Sequence, residues 1–420
     1  MAEVAAGAVA AEEVISTGVY AGVASHAVTK PTMPLKATFT QMGSATDDTS
    51  KSSLIRSHHT LTILGDKAYI FGGQTSQGVL ASNDIHCLAL PSASTSTSEY
   101  HMLPAIAAEQ DGPVPWPRTN HSACAVKSHI AVYGGCDETG KVLDEGGRVW
   151  LYDTENFYWQ TIENISHPER VPPPRSKANL LAHEGNFILI GGNDSAGGPL
   201  ADVWHFNSSA KTWNQLPHAP TIISCATIVG DTIYAISSSD NLSSEVHHLE
   251  IDLYAETPAT WKTISFPTNP LTPGPQQRSN AGLIPVTTGY GRRYLLYFFG
   301  NRKGHTEHGN VSLWSDLWTF QLPSGDSKVS RRSSIIDAIR PANIKDQIRS
   351  KFGVDTGGFS WAEVEVQPPG DLQRHEGKVH PGPRSSFGYD VTADGHSVVL
   401  WGGCDPAGEP EGDGWIIGLS

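Results

Sequence analysis

The chain has 420 residues, 38% of them hydrophobic, with 42 glycines, 28 prolines and a formal net charge of −14 at pH 7. That apolar content supports a substantial core, and the Gly and Pro content predicts many turns rather than long helices. The acidic balance argues against a general nucleic-acid or anionic-membrane binder, since both need a basic surface.

Residues 1–35 read as an N-terminal extension, Ala-rich over 2–28 and compatible with a helix. Glu3, Glu12 and Glu13, with no early Lys or Arg, make it a poor secretory signal. No stretch is apolar enough to span a membrane. The cysteines Cys87, Cys124, Cys136, Cys225 and Cys404 are scattered, without a CxxC pair. They predict free thiols in a reducing, cytoplasmic setting.

From residue 36 onward one pattern recurs. A strand of β-formers ends in two glycines in "YIFGG" (69–73), "AVYGG" (131–135), "ILIGG" (188–192) and "VVLWGG" (398–403). Degenerate copies fall between, at "TIYAISSSD" (232–240) and "YLLYFFGNRKG" (294–304). Before each glycine pair comes an Arg-Ser or Arg-Thr step, at Arg56, Arg118, Arg175, Arg278 and Arg384; the fourth copy has Thr221 and Ile222 instead. After it come a polar loop and two spaced aromatics, such as Tyr152 with Trp159 and Phe206 with Trp213. This order predicts six units of four strands, at about 53–104, 113–165, 172–217, 220–267, 275–366 and 381–420. The last unit has only three strands, so "KATFTQM" (36–42) is expected to supply its fourth and cover its open edge. Residues 324–358 interrupt the fifth unit, and the isoleucine spacing in "SIIDAIRPANIKDQIRSKFG" predicts two short amphipathic helices.

Taken together, these elements over residues 37–420 resemble the kelch repeat. The resemblance implies an all-β fold: a six-bladed kelch-type β-propeller closed by an N-terminal strand, with a short helical insertion in blade five. The interrupted fifth copy and the terminal "EGDGWII" resemble fungal kelch proteins loosely labelled galactose-oxidase-like. The copper site of galactose oxidase needs a Cys–Tyr crosslink and additional domains, for which this chain has no room. Kelch adaptors use arginines at this strand position to grip acidic peptides, so the resemblance offers Arg56, Arg118, Arg175, Arg278 and Arg384 as a binding set. Arginine forks suit carboxylate or phosphate. The same arginines can instead brace neighbouring blades.

The expected partner is an acidic protein segment or a small anionic molecule, bound by a monomer with no nucleic acid and no membrane involved. The alternative is an enzyme of small-molecule or secondary metabolism, cyclase- or lyase-like, with His58, His59 and His121 as candidate acid–base groups near the channel. His305, Glu307 and His308 sit in one loop, but their spacing is a poor metal signature, so no metal and no cofactor is expected.

Overall fold

The computed structural model describes residues 35–45, 49–76, 78–91, 99–165, 168–237, 245–252, 259–266, 274–288, 291–307, 310–323, 358–368 and 378–420. The helices expected in the N-terminal extension and in the 324–358 insertion lie outside the described residues, save Gly358.

Alternating β-formers between glycine-rich turns give short strands, and each strand pairs antiparallel with the next in sequence. The first sheet holds Thr60–Leu64, Lys67–Phe71, Ile85–Ala89 and Tyr100–Leu103. The second holds Ser122–Val126, His129–Tyr133, Val149–Asp153 and Tyr158–Ile162. The third holds Asn179–His183, Asn186–Ile190, Val203–Asn207 and Thr212–Leu216. The fourth holds Ile223–Val229, Thr232–Ser237, Val246–Glu250 and Lys262–Ile264. In the fifth, Gly282–Thr287, Arg293–Phe298 and Leu317–Gln321 are followed, after the insertion, by Ser360–Glu363.

The sixth sheet combines Gly388–Val391, Ser397–Trp401 and Asp413–Leu419 with the N-terminal strand Lys36–Ser44. Phe39 lies opposite Ile417, and the register shifts between Gln41 and Gly43. One feature was not expected from sequence. Glu365–Val366 adds a short parallel pairing to Lys36–Ala37, on the outer side of the N-terminal strand. A bare edge there would expose unpaired backbone groups, so this addition shields its beginning.

The spaced aromatics meet across the two outer strands. Tyr152 lies opposite Trp159, Phe206 opposite Trp213 and Phe320 opposite Trp361. Their ring centroids are 5.1, 4.9 and 5.0 Å apart. Burial of such rings carries much of the packing energy. Apolar clusters fill the spaces between neighbouring sheets. One of them joins Leu61 and Ile70 of the first sheet to Val399 and Trp401 of the sixth. Another joins Leu296 and Phe298 of the fifth to Val398 and Ile417 of the sixth. The architecture is therefore an all-β propeller in which sheets pack face against face. Among the described residues, no helix is long and apolar enough to cross a membrane.

Candidate binding site at the channel mouth

The five arginines occupy one equivalent position, each four residues before the first strand of its sheet. Each is at most 1% exposed. In each, one guanidinium nitrogen donates to a carbonyl at the end of the second strand of its own sheet. The acceptors are Gly72, Gly134, Gly191, Phe299 and Gly402, at 2.8 to 3.1 Å. Four arginines also form two-pronged pairs with a carboxylate near the start of the third strand. Arg118 pairs with Glu145 at 2.9 and 2.7 Å, and Arg175 with Asp202 at 2.7 Å through both nitrogens. Arg278 pairs with Asp316 at 2.6 and 3.0 Å, and Arg384 with Asp413 at 2.8 and 3.4 Å. Arg56 meets the His86 imidazole at 2.8 Å instead. Burial lowers Arg56 to about 10, which leaves it charged at neutral pH.

This differs from the expectation that Arg56, Arg118, Arg175, Arg278 and Arg384 present open forks to a ligand. A guanidinium held out of water needs its charge and donors matched; four sheets supply a carboxylate for it, while in the first the Arg56 donors go to the Ser53 and Gly72 carbonyls and to His86. The tryptophan indoles reinforce the acids: Trp150 donates to Glu145 at 2.8 Å, and Trp204 and Trp318 donate to Asp202 and Asp316 at 2.7 Å. In the fourth sheet, where arginine is missing, the Thr221 hydroxyl lies 3.4 Å from that of Ser237.

The glycine pairs belong to the same assembly. The second glycine of a pair donates its N–H to the carbonyl of the next sheet's arginine: Gly73 to Arg118, Gly135 to Arg175 and Gly403 to Arg56, and the lone Gly300 of the degenerate fifth copy does the same to Arg384, at 2.9 to 3.0 Å. A side chain has no room there. A Cβ on Gly403 would lie 2.6 Å from the Ser385 carbonyl oxygen, at a φ of +99°.

Just beyond the arginines lies a belt of residues in the left-handed region. They are His58, Asn120, Lys177, Asn280 and Ser386, with φ between 50° and 55°. Their backbones link one sheet to the next. His58 donates to the Ser386 carbonyl at 2.8 Å, Asn120 to His58 at 3.1 Å, Lys177 to Asn120 at 2.8 Å, and Ser386 to Asn280 at 3.4 Å. Four of the belt side chains are half-buried and Lys177 is exposed. Glycine would adopt this conformation at no steric cost. All five positions carry polar side chains instead.

The belt rims a central channel of about 410 Å³, whose lining starts at the very next residues, His59, His121, Ala178 and Phe387. The imidazole candidates are held neutral. His58, beside Lys177, is lowered to about 4, chiefly by burial. His121 is lowered to about 3 by burial and by Arg118, and its Nε2 meets Thr60 Oγ1 at 2.9 Å. His59 is also pushed well down by burial, and accepts from the Gly388 N–H at 3.2 Å. Deeper in the channel, burial raises Asp390 to about 6, although its carboxylate accepts from the N–H groups of Ile63 and Val391 at 2.7 and 2.8 Å. The side chains of the His305, Glu307 and His308 loop are outside the described residues.

Comparison with known proteins places this geometry. The model of the KLHDC2/KLHL20/DRC7 Kelch-repeats domain matches residues 58–284, just over half of the chain. The chain belongs to the kelch-repeat family. It is similar to human Kelch domain-containing protein 3, at 28% identity over 209 residues, which is 47% of this chain and 51% of the relative. It is also similar to dynein regulatory complex subunit 7 of Chlamydomonas reinhardtii, at 29% identity over 38% of this chain and 12% of that protein. The chain thus aligns with about half the length of the first of these curated relatives. A solved structure entitled "Structure of YjhT" matches in fold, with a TM-score of 0.54, 12% identity and coverage of 87% of this chain and 97% of that one.

Two kinds of residue escape the sequence reading of this kelch chain. The acids that match the arginines had a legible signal, since Asp202, Asp316 and Asp413 each stand two residues before Trp204, Trp318 and Trp415. The belt had a positional signal only: each of its residues stands two after an arginine of the Arg-Ser or Arg-Thr step, while the letters there, His, Asn, Lys and Ser, share no side-chain type. Their common left-handed φ is seen only in the structure.

Proposed function

We propose that this kelch protein is a binding module that takes a partner's acidic segment, or a small anion, at the channel mouth, with the belt rather than the arginines in contact. The observation that carries the reading is the set of five polar side chains at left-handed positions around one opening. Such conformations cost roughly 1–2 kcal/mol per non-glycine residue and persist at functional sites. Lys177 supplies the belt's cation, while Asn120, Asn280 and Ser386 supply hydrogen bonds to a carboxylate. The buried arginine–acid pairs hold the rim in place.

In this reading six sheets form six blades of one ring, residues 36–420 make one propeller, and the Lys36–Ser44 strand closes it by pairing with Asp413–Leu419. The inter-sheet cluster that joins the sixth sheet to the first supports that closure. The five cysteines are thiols, which suits the cytoplasmic setting proposed here. The enzyme alternative draws little support from His58 and His121, because imidazoles at about 4 and about 3 are weak bases at neutral pH.

The test is fluorescence polarisation of labelled acidic and neutral peptide panels. Lys177→Glu should remove binding of the acidic set, and Asn120→Ala should weaken it. Lys177→Gly should lose affinity while raising stability by about 1 kcal/mol, because it relieves a left-handed lysine. Acidic-peptide binding that is indifferent to all three changes would refute the site.

A further inference from the structure

A second surface lies outside the channel, on the second sheet. The connection that enters this sheet and the loop between its second and third strands enclose a groove of about 810 Å³. Val114 and Trp116 form one wall, Asp137, Glu138 and Asp144 the other, and Trp150 lies in its lining between them. Trp116 is 72% exposed, whereas Trp150, Trp159, Trp401 and Trp415 are at most 2% exposed. A large indole left in water costs free energy that a partner's surface would recover.

The groove is held open by rigid parts. Arg118 ties its two walls together, donating from Nε to the Trp116 carbonyl at 3.1 Å and from both terminal nitrogens to Glu145. The Asp137 carboxylate folds its own loop, accepting from the Thr139 hydroxyl at 2.6 Å, the Thr139 N–H at 2.8 Å and the Lys141 N–H at 3.0 Å. These bonds, the hydroxyl's first, keep its pKa below the usual carboxylate range, so the charge is present at neutral pH. Lys141 is on the same loop but outside the lining. The cations of the groove are already matched: Arg118 by Glu145, and Arg148 by Glu163 at 3.4 Å. Asp137, Glu138 and Asp144 are left as formal negative charge facing an exposed aromatic wall.

We infer that this groove docks an extended, basic segment of a partner protein, with a Lys or Arg side chain over the Trp116 ring. A cation there meets the negative face of the indole and the carboxylates opposite at once. The aliphatic stem of the same side chain covers Val114 and the ring edge. Charge complementarity selects this occupant: an acidic segment, suited to the Lys177 rim, would be repelled here. The two surfaces therefore take opposite chemistries.

A random dodecapeptide phage library panned on the full chain tests this. Enriched peptides should carry Lys or Arg beside an apolar residue. A synthetic peptide from that pool should bind, by calorimetry, roughly tenfold more weakly to Trp116→Ala and to Asp144→Asn, and progressively more weakly with added salt. Lys177→Glu should leave its affinity unchanged, which separates this groove from the channel mouth. Trp116→Phe should retain most of the binding, so loss by misfolding is distinguishable. Three outcomes overturn the inference: no basic enrichment, an enriched basic peptide whose affinity ignores Trp116→Ala, or self-association in ultracentrifugation that Trp116→Ala removes and the peptides do not compete with.

Discussion

The backbone N–H of Gly403 donates to the carbonyl of Arg56 at 3.0 Å, so the last sheet clasps the first. Gly403→Ala should break that clasp, since the new Cβ would lie 2.6 Å from the Ser385 oxygen. Gly408→Ala is the control. Its φ is +84° but nothing lies within 4 Å. Chemical denaturation should show a cost of about 1 kcal/mol for the control, from the left-handed backbone alone. The cost at Gly403 should be clearly larger. Equal costs would mean that the close approach is not what requires glycine there.

Arg175 and Asp202 are a buried two-pronged pair. Removing only the arginine leaves the acid facing the Trp204 indole without its counter-charge, and Arg175→Ala should cost roughly 3–5 kcal/mol. Arg175→Lys should recover little, because an ammonium cannot satisfy two carboxylate oxygens and the Gly191 carbonyl in the same fork. The double change Arg175→Ala with Asp202→Ala should cost less than the sum of the singles in a denaturation cycle. Strict additivity would show that the two side chains do not act as a pair.

The pH dependence has two opposed parts. Lowered histidines such as His58, His86 and His121 take up protons on unfolding, so stability falls as pH drops below about 6.5. Asp390 acts in the other direction. Its folded value of about 6 exceeds the ordinary 3.8, so its contribution is fully present below 3.8 and is lost as pH rises through 6. Asp390→Asn should therefore steepen the loss of melting temperature between about pH 6 and pH 4. Calorimetric scans across that range check it; an unchanged slope would show that Asp390 titrates normally.

Closure by the N-terminal strand is tested by truncation. Removing residues 1–30 should alter melting little. Removing 1–45 takes away Lys36–Ser44 and bares the edge of Asp413–Leu419. That protein should melt earlier and aggregate, as light scattering would report. Matching behaviour of the two truncations would rule out the closing role.

Much of this protein was legible in its sequence because the repeat is local. The strand, the glycine pair, the Arg-Ser or Arg-Thr step and the paired aromatics recur at short spacing, and each is required by contacts inside one sheet or with its neighbour. That was enough to read an all-β kelch propeller and to find five equivalent arginines. What occupies those arginines was decided only in three dimensions. Their acids follow at different distances, 27 residues on for Glu145 and Asp202, 38 for Asp316 and 29 for Asp413, because the intervening loops vary in length. Burial then turns four of these potential anion sites into internal ion pairs, since burying a guanidinium is costly unless its charge and donors are matched; Arg56 is held by carbonyls and His86 instead. The side chains left at the rim, from His58 to Ser386, each stand two residues after one of these arginines but carry no common letter; that this position is left-handed and links one sheet to the next was decided only in three dimensions.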